Sequence, residues 1–184
     1  MPKRRAVILD RDGVLNVPDF RNGRSYAPKR HEDFILYADA APAVARLKAA
    51  GFLVVVATNQ PDVGAGLVDR QVVEAMHMQM RRDVAIDDIE VCYDPSDRPT
   101  HRRKPGTGML LDLAARWDID LPASYMIGDR HGDIEAGVNA GCVAIFVDRD
   151  YASETRPTRQ AVTVRSLAEA AAWILDRSNA GTIT

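Results

Sequence analysis

The sequence predicts an α/β fold with a central parallel sheet and helices on both faces. Three observations carry this. Short apolar runs alternate with segments of helical period, and most connections between them are short. Helical segments end at Ala50-Gly51 and Ala140-Gly141, each directly before an apolar run, as when a helix hands the chain back to a sheet. The main apolar runs are continuous rather than alternating, which is expected of strands covered on both sides.

Ala6-Val7-Ile8-Leu9 is the first predicted strand. Residues 17–36 are rich in Arg, Pro, Gly and Asn and show neither period; an irregular loop is expected there, and loops of that length in a small domain are usually functional. Asp39 is placed to cap a helix that carries Pro42 in its first turn, Val44 and Leu47 on one face, and Gly51 at its end. Residues 52–57 form a second strand running into Thr58-Asn59-Gln60. Asp69 is placed to cap the next helix, where Val72, Met76 and Met80 share a face. Those methionines read as core rather than ligands.

Residues 88–92 read as a third, weaker strand, followed by a polar loop to Pro105. The spacing of Met109, Leu110, Leu113 and Trp117 predicts a helix over 107–117. Residues 125–127 form a fourth strand ending at Gly128-Asp129. A short helix with Ile134 and Val138 then stops at Gly141, and residues 142–147 are a fifth strand. Ser166 and Glu169 suit a capping box for a last helix, with Leu167, Ala171 and Ile174 turned inward. Residues 1–177 are expected to form a single domain without room for a large cap, and residues 178–184 to fray.

The composition narrows the function. With 184 residues, 46% of them hydrophobic, the chain can bury an ordinary core. Lys and Arg number 24 against 26 Asp and Glu, so no global basic field points to nucleic acid. Four Phe, five Tyr and two Trp are scattered and make no stacking surface for bases. The basic Pro2-Lys3-Arg4-Arg5 is followed by an apolar run too short for a signal peptide or a membrane span. A cytoplasmic protein with no nucleic-acid or membrane partner is therefore expected, as a monomer or, alternatively, a homodimer. Cys92 and Cys142 fall in predicted strands and read as packed thiols rather than a disulfide.

Asp10 and Asp12 stand where the first strand stops, in Asp10-Arg11-Asp12-Gly13-Val14-Leu15-Asn16. Open α/β sheets bind their ligands at that end of the strands. Two carboxylates so close repel unless a cation lies between them or one is protonated, so a divalent metal and an acid/base division of labour are implied. On these residues alone, an Asp- and Gly-rich turn remains the plain alternative. Three further polar groups fall at strand ends or just before a helix: Thr58 with Asn59 and Gln60, Arg103 with Lys104, and Asp129 with Asp133. A parallel sheet would gather all four along one edge. Their chemistry is complementary, since carboxylates hold a hard cation while a lysine and a hydroxyl hold a phosphate.

In this order, the Asp10-to-Asn16 segment, Thr58-Asn59-Gln60, Arg103-Lys104-Pro105 and Gly128-Asp129-Arg130 with Asp133 resemble the haloacid dehalogenase (HAD) superfamily of phosphohydrolases. Within it the chain resembles the capless group of histidinol phosphatases and heptose-bisphosphate phosphatases. The resemblance covers about residues 6–151 and implies a Rossmann-like three-layer sandwich. It implies a Mg²⁺-dependent phosphatase acting through an aspartyl phosphate on a small phosphorylated metabolite, foremost D-glycero-D-manno-heptose 1,7-bisphosphate. Histidinol phosphate or another sugar phosphate is the alternative, and a non-catalytic phosphate-binding module ranks below both.

By the same resemblance, Asp10 is the nucleophile and a metal ligand. Asp12 protonates the leaving alcohol and then takes a proton from water, while its backbone carbonyl touches the metal. Thr58 and Lys104 bind the transferring phosphoryl, and Asp129 is the remaining carboxylate on the metal. Asp133 orients Lys104 or a metal-bound water. Asn59, Gln60, Arg103 and Arg130 form the substrate-facing set, with a surface ion pair as an equal alternative for Arg130.

One departure stands out. The heptose group carries a structural zinc loop with a Cys-x-His pair and then a Cys-x-Cys ahead of Arg-Lys-Pro. Here the pairs read Cys92-Tyr93-Asp94 and Thr100-His101-Arg102. Cys92 and His101 supply only two of the four ligands a structural zinc requires, so no zinc is expected. His101 and His131 are expected near the substrate, His31 in a solvated loop, and His77 in a partly buried structural role.

Overall fold

The computed structural model describes residues 3–180, and within them a six-stranded, wholly parallel sheet forms the middle layer of a three-layer sandwich. Strands β1 (Ala6–Leu9), β4 (Leu53–Asn59), β5 (Asp88–Cys92), β6 (Tyr125–Gly128), β7 (Val143–Val147) and β8 (Val162–Val164) lie in the order β5-β4-β1-β6-β7-β8. The chain builds outward from β1 on one side, through β4 and β5, and then returns to β1's other edge as β6. That reversal is the switch point where doubly wound sheets open a crevice for ligands. Leu9 pairs in register with Val56 and with Ile127, so Asp10, Ala57-Thr58 and Gly128-Asp129 leave the sheet side by side.

Each central strand is apolar over most of its length because it feeds two cores. Val54 and Val56 of β4 pack on one face with α1 (Ala40–Ala49), α3 (Arg70–Val84) and α6 (Leu167–Ala180). Leu53, Val55 and Ala57 point the other way, against Met109, Leu110 and Leu113 of α4 (Gly108–Trp117). Met76 and Met80 are fully buried. A smaller cluster joins Ile134 of α5 (His131–Asn139) to Ala144 and Phe146.

Several elements differ from the sequence expectation. Residues 17–36 are irregular only in part: β2 (Asp19–Arg21) and β3 (Arg24–Tyr26) form an antiparallel hairpin within them. Its turn is Asn22-Gly23, both with positive φ, the arrangement a tight two-residue hairpin needs. A short α2 (Pro61–Gly64) follows Gln60, and β8 extends the sheet by a sixth strand. Cys142 lies just ahead of β7 rather than in it. Asp69 caps α3 as expected, accepting from Gln71 N at 2.8 Å. Asp39 instead accepts from Ala168 N at 2.9 Å, so its carboxylate caps α6 across the interface with α1. Ser166 Oγ accepts from Glu169 N, whereas Glu169 reaches back to Arg165 N. The last helix runs to Ala180, past the expected start of fraying, and residues 181–184 of the expected tail lie outside the described residues. No helix among the described residues is long and apolar enough to cross a membrane.

Candidate active site

The turn after β1 is built by its own backbone. Leu15 N and Asn16 N both donate to Arg11 O, and Gly13 N donates to Asn16 O, while Asp10 N donates to Ile127 O of the neighbouring strand. Gly13 has φ +84°, and a Cβ there would overlap the Asp129 carboxylate and the Tyr151 hydroxyl. Glycine at this position is what lets the β1 and β6 strand ends approach.

Four of the expected groups meet at a cavity of ≈ 430 Å³. Lys104 Nζ lies 2.8 Å from Asp10 Oδ1 and 2.7 Å from Asp133 Oδ1, and all three side chains are buried. Asp133 also accepts from Arg130 N at 3.1 Å, fixing the carboxylate at the start of α5. Asp10, Asp129 and Asp133 each offer an oxygen within 4.8 Å of the others. Burial, then the charge of Asp133, pushes the Asp10 carboxyl up to about 6 despite Lys104. Burial and the charges of Asp10 and Asp133 hold Asp129 well above the ordinary carboxylate range. Burial works against the Lys104 ammonium, but the two carboxylates overcome it and raise its pKa.

These carboxylates fit a hard divalent cation. Asp129 Oδ1 is buried and has no hydrogen-bond partner, a costly state for a carboxylate oxygen unless something binds it. Its other oxygen, Oδ2, accepts from Tyr151 OH at 2.6 Å, a bond that orients the free one toward the cluster. The donors are all oxygen, as magnesium prefers.

The Asp12 carboxylate is not part of this cluster and is held by a separate set of donors. It accepts from Arg11 (Nη2 at 3.0 and 3.1 Å), Asn16 Nδ2 at 3.0 Å and Gln60 Nε2 at 2.8 Å. Burial alone would raise its pKa, but the Arg11 charge and these hydrogen bonds hold it below the usual carboxylate value. Asp12 still lines the cavity.

The substrate-facing set divides. Arg103, Arg130 and Asn59 line the cavity. Asn59 exchanges two hydrogen bonds with the Lys104 backbone, at 3.0 and 3.1 Å, and so secures the loop that delivers the ammonium. Gln60 is buried, with its amide bonded to Asp12 and to Thr58 Oγ1, and it does not reach the cavity. Thr58 itself is fully buried, accepts from Gln60 Nε2 at 2.9 Å and is not among the residues that line the cavity. Arg130 donates to Ser25 and pairs with Glu154 at 3.3 Å. His101 is exposed beside Gly108, and neither it nor His131 lines the cavity. His77 is more buried than expected, at 3% exposure.

The loop ahead of Lys104 is closed by a clasp at the four positions where zinc ligands would stand. Asp94 accepts from Thr100 N at 2.8 Å and from Thr100 Oγ1 at 2.5 Å, and Cys92 hydrogen-bonds to Asp94. Arg102 pairs with Glu90 and Asp112. A permanently charged guanidinium is no metal ligand, so here hydrogen bonds and ion pairs fasten the loop. Arg103 continues it, donating to Asp94 O and Ser96 Oγ.

On the opposite wall, sequence reasoning marked residues 17–36 as a functional loop but singled out none of the side chains that reach the cavity, and it missed the segment after β7. Arg24, Ser25 and Tyr26 of the β2–β3 hairpin line the cavity together with Ser153, Glu154 and Thr155 from the segment after β7. The hairpin docks there through Phe20 stacked on Tyr151, with ring centroids 5.7 Å apart, and through Ser153 N donating to Gly23 O. Asn22-Gly23 between short polar and aromatic residues is a hairpin signal that could have revealed half of this wall.

A parallel sheet with paired acids after its first strand, a lysine paired with the first of them and acids after β6 defines a HAD-like hydrolase. The HAD-hydrolase-like family model matches residues 101–170. The D-glycero-beta-D-manno-heptose-1,7-bisphosphate 7-phosphatase of Rhodopseudomonas palustris is 36% identical over 152 residues, covering 76% of this chain and 81% of that protein. The enzyme of the same name from Bordetella bronchiseptica is 34% identical, covering 82% and 84%. The crystal structure of D,D-heptose 1,7-bisphosphate phosphatase from B. bronchiseptica, complexed with magnesium and phosphate, superposes with a TM-score of 0.82 at 31% identity, covering 94% of this chain and 99% of that one. A putative HAD-like phosphatase from Mesorhizobium loti gives 0.73 at 26% identity, covering 95% and 87%. This chain belongs to the HAD family of phosphatases, the phosphoric monoester hydrolases, in the branch that includes the heptose-bisphosphate 7-phosphatases.

Proposed function

We propose that this chain is a Mg²⁺-dependent phosphatase that hydrolyses the 7-phosphate of D-glycero-D-manno-heptose 1,7-bisphosphate through an aspartyl phosphate on Asp10. The observation that carries the reading is the buried triad of Asp10, Lys104 and Asp133 beside the unpartnered oxygen of Asp129. Asp10, Asp129 and the Asp12 backbone carbonyl would hold the cation, which when bound offsets the charge of the carboxylates and of the incoming phosphate. Asp10 attacks phosphorus while Asp12 protonates the departing sugar oxygen. Asp12 then takes a proton from the water that cleaves the acyl phosphate. Lys104 and Thr58 hold the phosphoryl oxygens, and Asp133 holds Lys104.

A bisphosphate is favoured over histidinol phosphate by the walls. Arg24, Arg103 and Arg130 bring three cations to one cavity, which suits a second anionic group. Outside the catalytic cluster the acids there, Asp62 and Glu154, are paired with Lys29 and Arg130, which leaves Arg24 and Arg103 for that group and little for the ammonium of histidinol. Because one chain supplies every one of these residues, the reading takes a monomer as the working unit.

Phosphate release from a panel of sugar phosphates and histidinol phosphate, with and without Mg²⁺, tests the reading. The heptose bisphosphate is expected to give the highest kcat/KM, and Asp10→Asn to lower turnover by ~10³-fold or more. A folded Asp10→Asn variant with near-normal activity, or a preference for histidinol phosphate, would overturn it.

A further inference from the structure

Arg11 heads the large side chains that have no solvent exposure at all, and the reaction described above makes no use of it. Its guanidinium backs onto Asp12: Nη2 lies 3.0 Å from Oδ1 and 3.1 Å from Oδ2, and Nε lies 3.3 Å from Oδ1. The other side of the fork is packed. Nη1 is 3.2 Å from His77 Nε2 and 3.9 Å from Met76 Sδ, and the guanidinium carbon lies 5.4 Å from the centre of the Phe34 ring. Since an arginine nitrogen only donates, His77 Nε2 must accept, which places the histidine proton on Nδ1, on the side of Glu74 Oε2.

A buried guanidinium carries a desolvation penalty that apolar side chains of similar volume avoid. Asp12 is its only carboxylate partner among the described residues. Asn16 donates to Asp12 Oδ1 and Gln60 to Oδ2, one neutral bond on each oxygen, weaker than a charge-assisted pair. A planar fork touching both oxygens sets the plane of the group as well as its place.

We propose that Arg11 is a positioning residue for proton transfer, aiming the Asp12 carboxyl at the bridging oxygen of the substrate from behind the cavity wall. This rests on the reading of Asp12 as the proton carrier. In the first half-reaction the bond from Asp10 oxygen to phosphorus forms, the bond to the sugar oxygen breaks, and the Asp12 proton passes to that oxygen. In the second, water attacks phosphorus, its proton passes to Asp12, and Asp10 is released as the carboxylate. The fork holds Asp12 in one orientation through both steps, with Phe34, Met76 and His77 holding the fork.

A leaving-group comparison separates this role from a merely structural one. A sugar phosphate needs its leaving oxygen protonated, whereas 2,4-dinitrophenyl phosphate does not. For Arg11→Met, the single-turnover rate on a sugar phosphate is expected to fall ~100-fold or more, while the first-turnover release of dinitrophenolate falls less than ~5-fold. Arg11→Lys keeps a buried charge without the fork and decides the matter by itself if Arg11→Met does not fold; ~10-fold against less than ~2-fold is expected. Equal losses on both substrates, or full sugar-phosphate activity in Arg11→Lys, would overturn the proposal. Asp12→Asn is the reference: equal losses there would remove the underlying reading of Asp12, whereas a split in Asp12→Asn without one in the Arg11 variants would remove only the role of Arg11.

Discussion

The Lys104 ammonium stands 2.8 Å from Asp10 Oδ1, a buried ion pair between residues far apart in the chain. Its second partner, Asp133, lies 2.7 Å away on α5, so one cation bridges two acids that would otherwise repel more strongly. Replacing Lys104 with Met removes that cation and leaves both carboxylates buried. A loss of about 3–5 kcal/mol in stability, with kcat/KM reduced by ~10²–10³-fold, is expected from urea melts and initial rates. A variant as stable and active as the parent would contradict the pairing.

Tyr151 ties the segment after β7 to Asp129 by a single hydrogen bond of 2.6 Å. Tyr151→Phe keeps the stacking on Phe20 and deletes only the donor. A Mg²⁺ requirement raised by ~10-fold, measured as the metal concentration giving half-maximal rate, is expected from the loss of that support. An unchanged metal dependence would mean that Asp129 needs no help from the hydroxyl.

Arg24 points its exposed side chain toward the cavity without a hydrogen-bond or ion-pair partner among the described residues. Arg24→Ala should raise KM for a bisphosphate by ~10-fold, the scale of one charge-assisted hydrogen bond, and leave kcat nearly as it was. Hydrolysis of p-nitrophenyl phosphate, which carries no second phosphate, should be unaffected. A loss shared by both substrates would place Arg24 outside recognition of the second group.

His77 is buried neutral, with burial and then the Arg11 charge lowering its pKa from 6.5 to about 4. The unfolded chain therefore binds a proton at higher pH than the native protein does. The stability this group contributes is complete above pH 6.5 and is lost as pH falls through the window down to about 4. The loss amounts to roughly 3 kcal/mol at the low end of that window. His77→Gln retains an acceptor for Arg11 and should flatten that limb of the stability curve in urea melts taken between pH 7 and pH 4; an unchanged slope would exclude His77 as its source.

The polar residues that end each buried strand were legible because the signal is local. An apolar run followed by Asp10, Thr58 or Asp129 marks the sheet edge, and a parallel sheet has one edge for all of them. The repulsion expected between Asp10 and Asp12 implied a cation; Arg11 pairs with Asp12, and the carboxylates grouped for a metal are Asp10, Asp129 and Asp133. What the chain does not spell out is direction. Gln60 lies one position past β4 and turns inward to Asp12 rather than out to the cavity. Asp39 has the composition of a cap for its own helix and caps another. The hairpin wall needs residues 20 and 151 to stack across the fold, and no periodicity reports a contact at that separation.

By itself, the order of apolar runs, helical faces and terminal acids determined the fold class, the edge that bears the chemistry and the kind of chemistry found there, since each follows from the pattern of a few neighbouring residues. Only the tertiary structure decided which carboxylates share a lysine, which wall receives the arginines and which arginine goes inside. Arg11 is one charged letter between two aspartates in the sequence. Its burial against Phe34, Met76 and His77 depends on the packing of distant elements, and there the physical reason for its place beside Asp12 becomes visible.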